Sequence, residues 1–220
     1  QPFPQFKDYY NLYLAPKKSF KEITAAFEKA KPEWEQTSYY ANDPGLEQKW
    51  YEPTTDITEW RDIDVPGYWN NDDLKNYDGS VWMRRTFDLP IGYKEKTFGI
   101  SLGQVDDHDI AWVNGHKVGE TFGNYNWRNY NVPDSFLNPV GNVRVVRIFN
   151  AGNKGGIYNM FWDPRLAGKW KYKTGKRVNA ADFKQPLVVN NYIFGTPALL
   201  YNGCIAPITN LAIKGVIWYQ

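Results

Sequence analysis

The most reactive group of side chains in this 220-residue sequence is the run Asp107-His108-Asp109. A histidine between carboxylates could bind a metal ion or form a His–carboxylate pair that acts as a general base. Successive side chains on a strand point to opposite faces, so these three do not converge on one ion without a turn. We therefore predict a solvated loop here, with contact to calcium or to a sugar as the alternatives. We assign no metal site and no cofactor.

The second histidine, His116, directly follows the pair Asn114-Gly115 and is predicted to be an exposed hairpin residue. No Gly-x-Ser-x-Gly elbow, phosphate-binding glycine loop or His-Glu-x-x-His signature occurs in the sequence. The glycines of Gly152–Gly156 follow a strand-like segment and are interpreted as a turn. Serine esterase chemistry needs a hydroxyl activated by a base, and neither histidine is a convincing base.

Aromatic side chains are the other candidates, because the sequence contains ten Trp and sixteen Tyr. Sugar rings stack on indole and phenol faces, but the same side chains also supply large buried area to a β-sandwich core. Trp127, in the segment Asn124–Tyr130, is the preferred candidate for sugar binding. The further candidates are Tyr130, Trp69 and Tyr77, and core packing is the favoured interpretation for Trp69 and Tyr77.

The elements that would position these residues are short β-compatible runs separated by turn residues. Phe98, Ile100 and Leu102 alternate with small or polar residues, and Asn114-Gly115 suits a type I′ hairpin turn. The predicted strands are Trp60–Val65, Val81–Leu89, Phe98–Leu102, Ile110–Val113 and Val143–Phe149. Strands at this spacing, without a helical pattern between them, predict a mainly β fold, a sandwich or jelly roll.

The two ends of the chain differ from this middle part. Ser19–Glu22 has the spacing of a capping box, and it predicts a helix that ends at Pro32. Near the other end, Ile213–Gln220 is an apolar run, typical of a strand that is buried on both faces of a parallel sheet. Because one strand cannot form a sheet, we infer the edge of a second, α/β domain whose remainder is absent.

Composition excludes several classes of partner. The formal net charge is only +2, with acids and bases interleaved, so a nucleic-acid partner is not expected. No apolar run approaches the roughly 20 residues that cross a bilayer, so no membrane partner is expected. The single cysteine, Cys204, excludes an intrachain disulfide and a cysteine-based zinc site.

The middle of the chain, residues 59–156, resembles the sugar-binding-like jelly roll of family 2 glycoside hydrolases, which has the galactose-binding-like fold. The phrases that carry this resemblance are VPGYW at 65–69, YDGSVWMRRTF at 77–87, VNGHKVG at 113–119 and GGI at 155–157. They indicate the fold more than the function, because the same jelly roll is attached to many enzymes.

The C-terminal phrases resemble bacterial sialate O-acetylesterases, in which a jelly roll interrupts an SGNH-type esterase domain. These phrases are LAGKWKYK at 166–173, LYNGCIAP at 200–207 and IKGVIWYQ at 213–220. The resemblance implies a helical lead-in at 1–45, the jelly roll at 46–165, and a connector with a partial esterase segment at 166–220. It also implies a periplasmic or secreted protein.

The resemblance further implies that Asn202, Gly203 and Gln220 lie beside the active site of the parent enzyme. The nucleophilic serine and the catalytic histidine of that family have no counterpart in this chain. The first hypothesis is therefore a fragment of a carbohydrate esterase, inactive alone, whose partners are the rest of its esterase domain and a glycan. The alternatives are a carbohydrate-binding module without catalytic activity and a part of a family 2-like glycoside hydrolase.

Overall fold

The computed structural model describes residues 20–124, 126–152, 154–159, 166–179 and 183. The chain divides into two compact units, one of residues 1–34 and 185–220 and one of Glu35–Lys184. The described part of the first unit is a single helix, α1 (Phe20–Trp34). In the described ranges no helix combines the length and the apolar character that a bilayer crossing requires.

Helix α1 contains Pro32, the residue at which it was predicted to end. A proline removes one backbone donor, and the helix continues past it to Trp34. The next residues, Glu35–Tyr39, form a π-helical turn, in which backbone hydrogen bonds join residues five apart instead of four. The prediction of a stop at Pro32 was therefore wrong by two residues, while Ser19 of the proposed capping box lies outside the described residues.

The second unit contains a short helix, α2 (Pro44–Glu47), and two antiparallel sheets. The strands are β1 (Arg61–Val65), β2 (Gly67–Tyr68), β3 (Gly79–Phe87), β4 (Thr97–Asp106), β5 (His108–Val113), β6 (His116–Thr121), β7 (Trp127–Pro133), β8 (Asn142–Asn150), β9 (Gly156–Tyr158) and β10 (Gly168–Arg177). The six-stranded sheet has the order β1-β10-β3-β8-β5-β6, and the four-stranded sheet has the order β2-β9-β4-β7. The mainly β sandwich that the sequence predicted is confirmed.

The core lies between the two sheets and follows from strand alternation. Alternate residues of each strand point into this space, as with Val81 and Met83 of β3 and Phe98 and Ile100 of β4. The five predicted strands correspond to β1, β3, β4, β5 and β8. The other five are either very short or rich in polar residues, so their alternation is weak in the sequence.

Strand β10 shows that the sandwich continues beyond residue 165, the predicted end of the jelly roll. It pairs with β1 on one side and with β3 on the other. Trp170 and Tyr172 of this strand are buried in the core. The lysines that alternate with them, Lys169, Lys171 and Lys173, pair with acidic residues near or on β1. The alternation of aromatic and lysine residues is thus the pattern of a strand with one buried and one exposed face.

A layer of residues from the 35–60 region covers the outer face of the six-stranded sheet. Its anchor is the carboxylate of Asp43, which is fully buried. It accepts hydrogen bonds from the Gly45 backbone N–H at 3.0 Å, from Trp82 Nε1 at 3.0 Å and from Arg147 Nε at 2.6 Å. Arg147 also donates to the backbone oxygen of Tyr39 at 2.7 Å. Both faces of this sheet are therefore covered.

We predict that Arg147→Met lowers the free energy of unfolding by about 3–5 kcal/mol, because it leaves the Asp43 charge buried without its partner. Urea denaturation followed by Trp fluorescence measures this change. Lys169→Ala is the matched control, since it breaks a 3.4 Å ion pair with Asp64 in which both side chains are largely exposed. The control should cost about 0–1 kcal/mol.

The double variant Asp43→Asn with Arg147→Met removes both charges and should recover part of the loss. An Arg147→Met effect no larger than that of Lys169→Ala would contradict the role of this ion pair.

Candidate functional site

The candidate site lies on the outer face of the four-stranded sheet. A β-bulge in β4 determines which side chains reach this face. The pairing with β7 shifts between Ser101 and Gly103, so Leu102 and Val105 both point into the core and Gln104 points outward. Gly103 has φ +71, and a Cβ there would lie 2.7 Å from the backbone oxygen of Asn159. The bulge therefore requires a glycine at this position.

Three strands then place a row of side chains side by side. Gln104 of β4 is opposite Trp127 of β7 on one side and opposite Tyr158 of β9 on the other. Tyr68 of β2 extends the row, because its ring stacks on Tyr158 with a centroid distance of 4.9 Å. Trp127 is 42% exposed and Tyr68 45% exposed. We call these four residues the aromatic row.

Polar groups surround the aromatic row. The Gln104 side-chain oxygen accepts a hydrogen bond from Asn159 Nδ2 at 2.8 Å, and the Tyr158 hydroxyl donates to the backbone oxygen of Asn124 at 3.0 Å. Next to the row, Asn129 and Asn131 of β7 are exposed on the same face. Flat aromatic rings beside amide groups are typical of surfaces that bind sugars, which are apolar on their ring faces and polar at their edges.

The four aromatic residues that were predicted as candidates for sugar binding do not lie on one surface of the structure. Trp127 is part of the exposed row, whereas Tyr130 points inward and donates a hydrogen bond to Asp109 at 2.7 Å. Tyr77 is buried in the core and donates to the backbone oxygen of Gly175 at 3.0 Å. Trp69 is partly buried against the core. Of these four residues, only Trp127 belongs to the aromatic row.

Sequence reasoning missed Gln104, Tyr158 and Tyr68, although two of them lie in or beside the quoted phrases. Tyr68 is part of VPGYW, and Tyr158 follows GGI directly. Both phrases indicated only the fold. The strand alternation that points each of these tyrosines outward was not considered. Gln104 could not be found by alternation, because the bulge reverses the faces of the residues after Leu102.

The Asp107-His108-Asp109 run is a corner between the sheets rather than the predicted solvated loop. Strand β4 ends at Asp106 in the four-stranded sheet, and β5 begins at His108 in the six-stranded sheet. His108 is buried, and its Nδ1 accepts a hydrogen bond from the backbone N–H of Gly123 at 2.9 Å. Within the described parts of the chain, no group of three His, Cys, Asp or Glu side chains could hold a metal ion.

A buried ion pair supports the segment that precedes Trp127. Arg128 Nε donates to Asp109 at 2.6 Å, and both side chains are fully buried. The same guanidinium donates to the backbone oxygens of Asp107, at 2.8 Å, and of Asn126. Because neighbouring residues on a strand face opposite sides, fixing Arg128 inward holds Trp127 outward.

Asp106 lies on the outer face beside the aromatic row, two residues after Gln104 on β4. Asn124 Nδ2 is 3.5 Å from its carboxylate. Burial raises the pKa of Asp106 to about 7, and the neighbouring carboxylate of Asp107 adds to this shift. Asp107 itself accepts a hydrogen bond from the Ala151 backbone N–H at 2.8 Å.

Asp106 and Asp107 are consecutive residues at the point where β4 ends, and the charge of Asp107 contributes to the raised pKa of Asp106. Because this pKa is about 7, protonation of Asp106 can change the charge beside the aromatic row.

A second concave feature lies on the other side of the sandwich. It is a pocket of about 460 Å³ whose lining includes Trp50, Thr55, Glu59, Trp60 and Lys173. Its two tryptophans are almost completely buried, with Trp60 only 3% exposed. Their ring faces are thus already used in packing, which favours the aromatic row as the binding surface.

No protein-family model matches the sequence. Solved structures of glycoside hydrolases are similar to the sandwich. The β-glucuronidase of Bacteroides uniformis is 28% identical, with 55% of this chain and 15% of that chain covered, at a TM-score of 0.44. A glycosyl hydrolase family 2 member from Bacteroides cellulosilyticus is 20% identical, with coverage of 56% and 18% and a TM-score of 0.43. A β-glucuronidase from Ruminococcus gnavus is 17% identical, with coverage of 58% and 26% and a TM-score of 0.42.

These comparisons correct the identification with sialate O-acetylesterases. The similar structures are β-glucuronidases and a family 2 glycoside hydrolase, and nothing among them points to an esterase. The first hypothesis, an SGNH esterase fragment, is therefore wrong. Short apolar phrases such as VIWYQ suit any strand that is buried on both faces, so they do not distinguish one hydrolase family from another.

The three residues that the esterase resemblance placed beside an active site, Asn202, Gly203 and Gln220, lie outside the described residues. The same holds for the predicted strand Ile213–Gln220. Of the segments quoted for that resemblance, only 166–173 falls within the described ranges, and most of it forms strand β10.

We predict that Asp106→Asn stabilises the protein more at pH 8 than at pH 4. The folded state keeps the Asp106 proton up to about pH 7, whereas an unperturbed carboxyl group loses it near 3.8. The folded state thus binds more protons between these values, and the contribution of Asp106 to stability falls as the pH rises from about 4 to 7. Asparagine removes this loss.

Thermal unfolding of both proteins at pH 4, 6 and 8 measures the effect. The difference in Tm between Asp106→Asn and the unchanged chain should grow across this series. A difference that is constant with pH would show that Asp106 titrates in the folded protein as it does in the unfolded chain.

Proposed function

We propose that the sandwich of this chain is a carbohydrate-binding module, and that it is an accessory part of a glycoside hydrolase of the family 2 type. The observation that carries the proposal is the aromatic row, in which exposed aromatic rings and an amide side chain lie in register across neighbouring strands. The two tyrosines of the row come from segments that resemble the jelly roll of family 2 glycoside hydrolases. Tyr68 lies within VPGYW, and Tyr158 directly follows GGI.

The chemistry of the face suits a polyhydroxylated ligand. Trp127 offers an exposed indole on which the apolar side of a sugar ring can stack. On β4 and β7 the other outward positions are small or polar, among them Gly99, Ser101, Asn129 and Asn131. These side chains leave room for a ligand, and the amides can hydrogen bond to its hydroxyl groups.

The dimensions of the row suit an oligosaccharide better than a single sugar. Four adjacent strands contribute to it, and strands are spaced about 4.8 Å apart, so the row spans roughly 14 Å. Binding along such a row would hold a polysaccharide or glycan close to an enzyme.

We predict that Trp127→Ala lowers the affinity for an oligosaccharide about tenfold. Removing the exposed part of the indole loses about 1–2 kcal/mol of apolar contact with the sugar, and 1.4 kcal/mol corresponds to a factor of ten. Isothermal titration calorimetry and quenching of Trp fluorescence would measure binding of β1,4-galactotetraose, methyl β-D-galactoside and methyl β-D-glucuronide to the full 220-residue chain.

The matched control is His116→Ala, which removes an exposed ring from the hairpin of the six-stranded sheet. This variant should bind as the unchanged chain does. Equal losses in both variants, or no heat and no fluorescence change with any of the three sugars, would contradict the proposal. Loss of binding on Thr55→Ala, with Trp127→Ala unaffected, would place the sugar in the pocket lined by Trp50 and Lys173 instead.

A further inference from the structure

We propose that Lys154 selects the ligand of the aromatic row: its ammonium group pairs with a carboxylate or sulfate group of the glycan, so acidic sugars bind more tightly than neutral ones. The inference rests on the proposed carbohydrate-binding function. It adds the chemical class of the ligand and a residue that recognises it.

Lys154 reaches the end of the aromatic row that Tyr68 forms. Its Nζ lies over the Tyr68 ring, 5.4 Å from the ring centroid. An ammonium group at this distance is attracted to the electron-rich face of an aromatic ring. Both side chains are exposed. The contact therefore holds a positive charge beside the row, where a ligand in solution can reach it.

The backbone next to Lys154 is joined to the backbone next to Tyr68. The Trp69 N–H donates a hydrogen bond to the Gly155 backbone oxygen at 2.9 Å. Gly155 also lies against the indole of Trp69, since a Cβ at this glycine would lie 2.2 Å from that ring. Trp69 follows Tyr68 in the chain and Gly155 follows Lys154, so this contact brings the lysine and the tyrosine together.

The charge of Lys154 is available to a ligand. Among the described residues, no carboxylate forms an ion pair with its ammonium group. Three lysines of β10 differ, because each of them pairs with an acidic residue near or on β1: Lys169, Lys171 and Lys173. An ammonium group has three donors and no acceptor, so the oxygens of an anionic group are its strongest partners.

The nearest opposing charge on this face is that of Asp106. It is the only outward carboxyl group on the four strands of this sheet, all of which are described throughout. Burial and the neighbouring Asp107 raise the pKa of Asp106 to about 7. At pH 6 most of this carboxyl group is protonated, so it opposes an acidic sugar only weakly, and binding is best compared at this pH.

The test uses three β1,4-linked glucose tetrasaccharides that differ only at C6: cellotetraose, its form oxidised to carboxylates and its 6-sulfated form. Calorimetric titration of the full chain at pH 6 should give several-fold higher affinities for the acidic sugars. This preference should shrink in about 0.5 M NaCl, since salt screens an exposed ion pair. A preference for one acidic form alone would identify the group that Lys154 recognises.

Lys154→Gln should remove the preference and keep the affinity for cellotetraose. Lys154→Arg retains a cation and should retain the preference. The matched control is Lys94→Gln, which removes an exposed lysine from the loop before β4, at the opposite end of that strand from Asp106. This control should behave as the unchanged chain.

The outcomes separate this inference from the function on which it rests. If cellotetraose binds and Trp127→Ala weakens its binding, but the unchanged chain does not prefer acidic sugars, the sugar-binding function stands and the role of Lys154 is overturned. Equal changes of the preference in Lys154→Gln and Lys94→Gln would overturn it too. An equal loss of affinity for all three sugars in Lys154→Gln would show that the lysine only supports Tyr68, which also overturns the inference. If none of the sugars binds, the proposed function fails and this inference fails with it.

Discussion

The fold of the second unit depends on the buried carboxylate of Asp43. Three donors from separate parts of the chain converge on it: a backbone N–H of α2, the indole of Trp82 on β3 and the guanidinium of Arg147 on β8. A buried charge is tolerated when it is paired and its lone pairs are satisfied. This carboxylate therefore fixes the 35–60 layer on the outer face of the six-stranded sheet.

Covering one sheet determines where a ligand can bind. Trp82 and Trp112 point away from the core, yet they are buried, because aromatic residues of the covering layer pack on them. Gly45 is needed for this contact, since a Cβ there would lie 2.2 Å from the Trp82 ring. On the four-stranded sheet, by contrast, Trp127 and Tyr68 keep large exposed areas. The outer face of one sheet is thus covered by the 35–60 layer, whereas the outer face of the other carries the exposed rings of the aromatic row.

The sequence predicted the sandwich because its main strands carry strong local patterns. The Asn114-Gly115 turn was predicted from residue type alone, and both residues have positive φ, at 50° and 85°. Strand β10 and the aromatic row were not predicted, since both depend on pairing between segments far apart in the chain. Trp127 was chosen for its residue type and its position near a loop, while its neighbours Gln104 and Tyr158 became visible only through the register.

The dependence on pairing between distant segments also explains why His108 is buried, contrary to the prediction, while Trp127 is exposed. Both lie in polar segments near turns, and local pattern does not say which way either side chain points. The corner at Asp107 takes the chain from one sheet to the other, which buries His108 at the start of β5. The Asp109–Arg128 pair then holds Arg128 inside the sandwich and leaves the adjacent Trp127 on the outer face. A buried, structural ion pair thereby sets the orientation of the proposed sugar-binding residue, so the stability of the corner and the geometry of the binding face are coupled through two consecutive residues of β7.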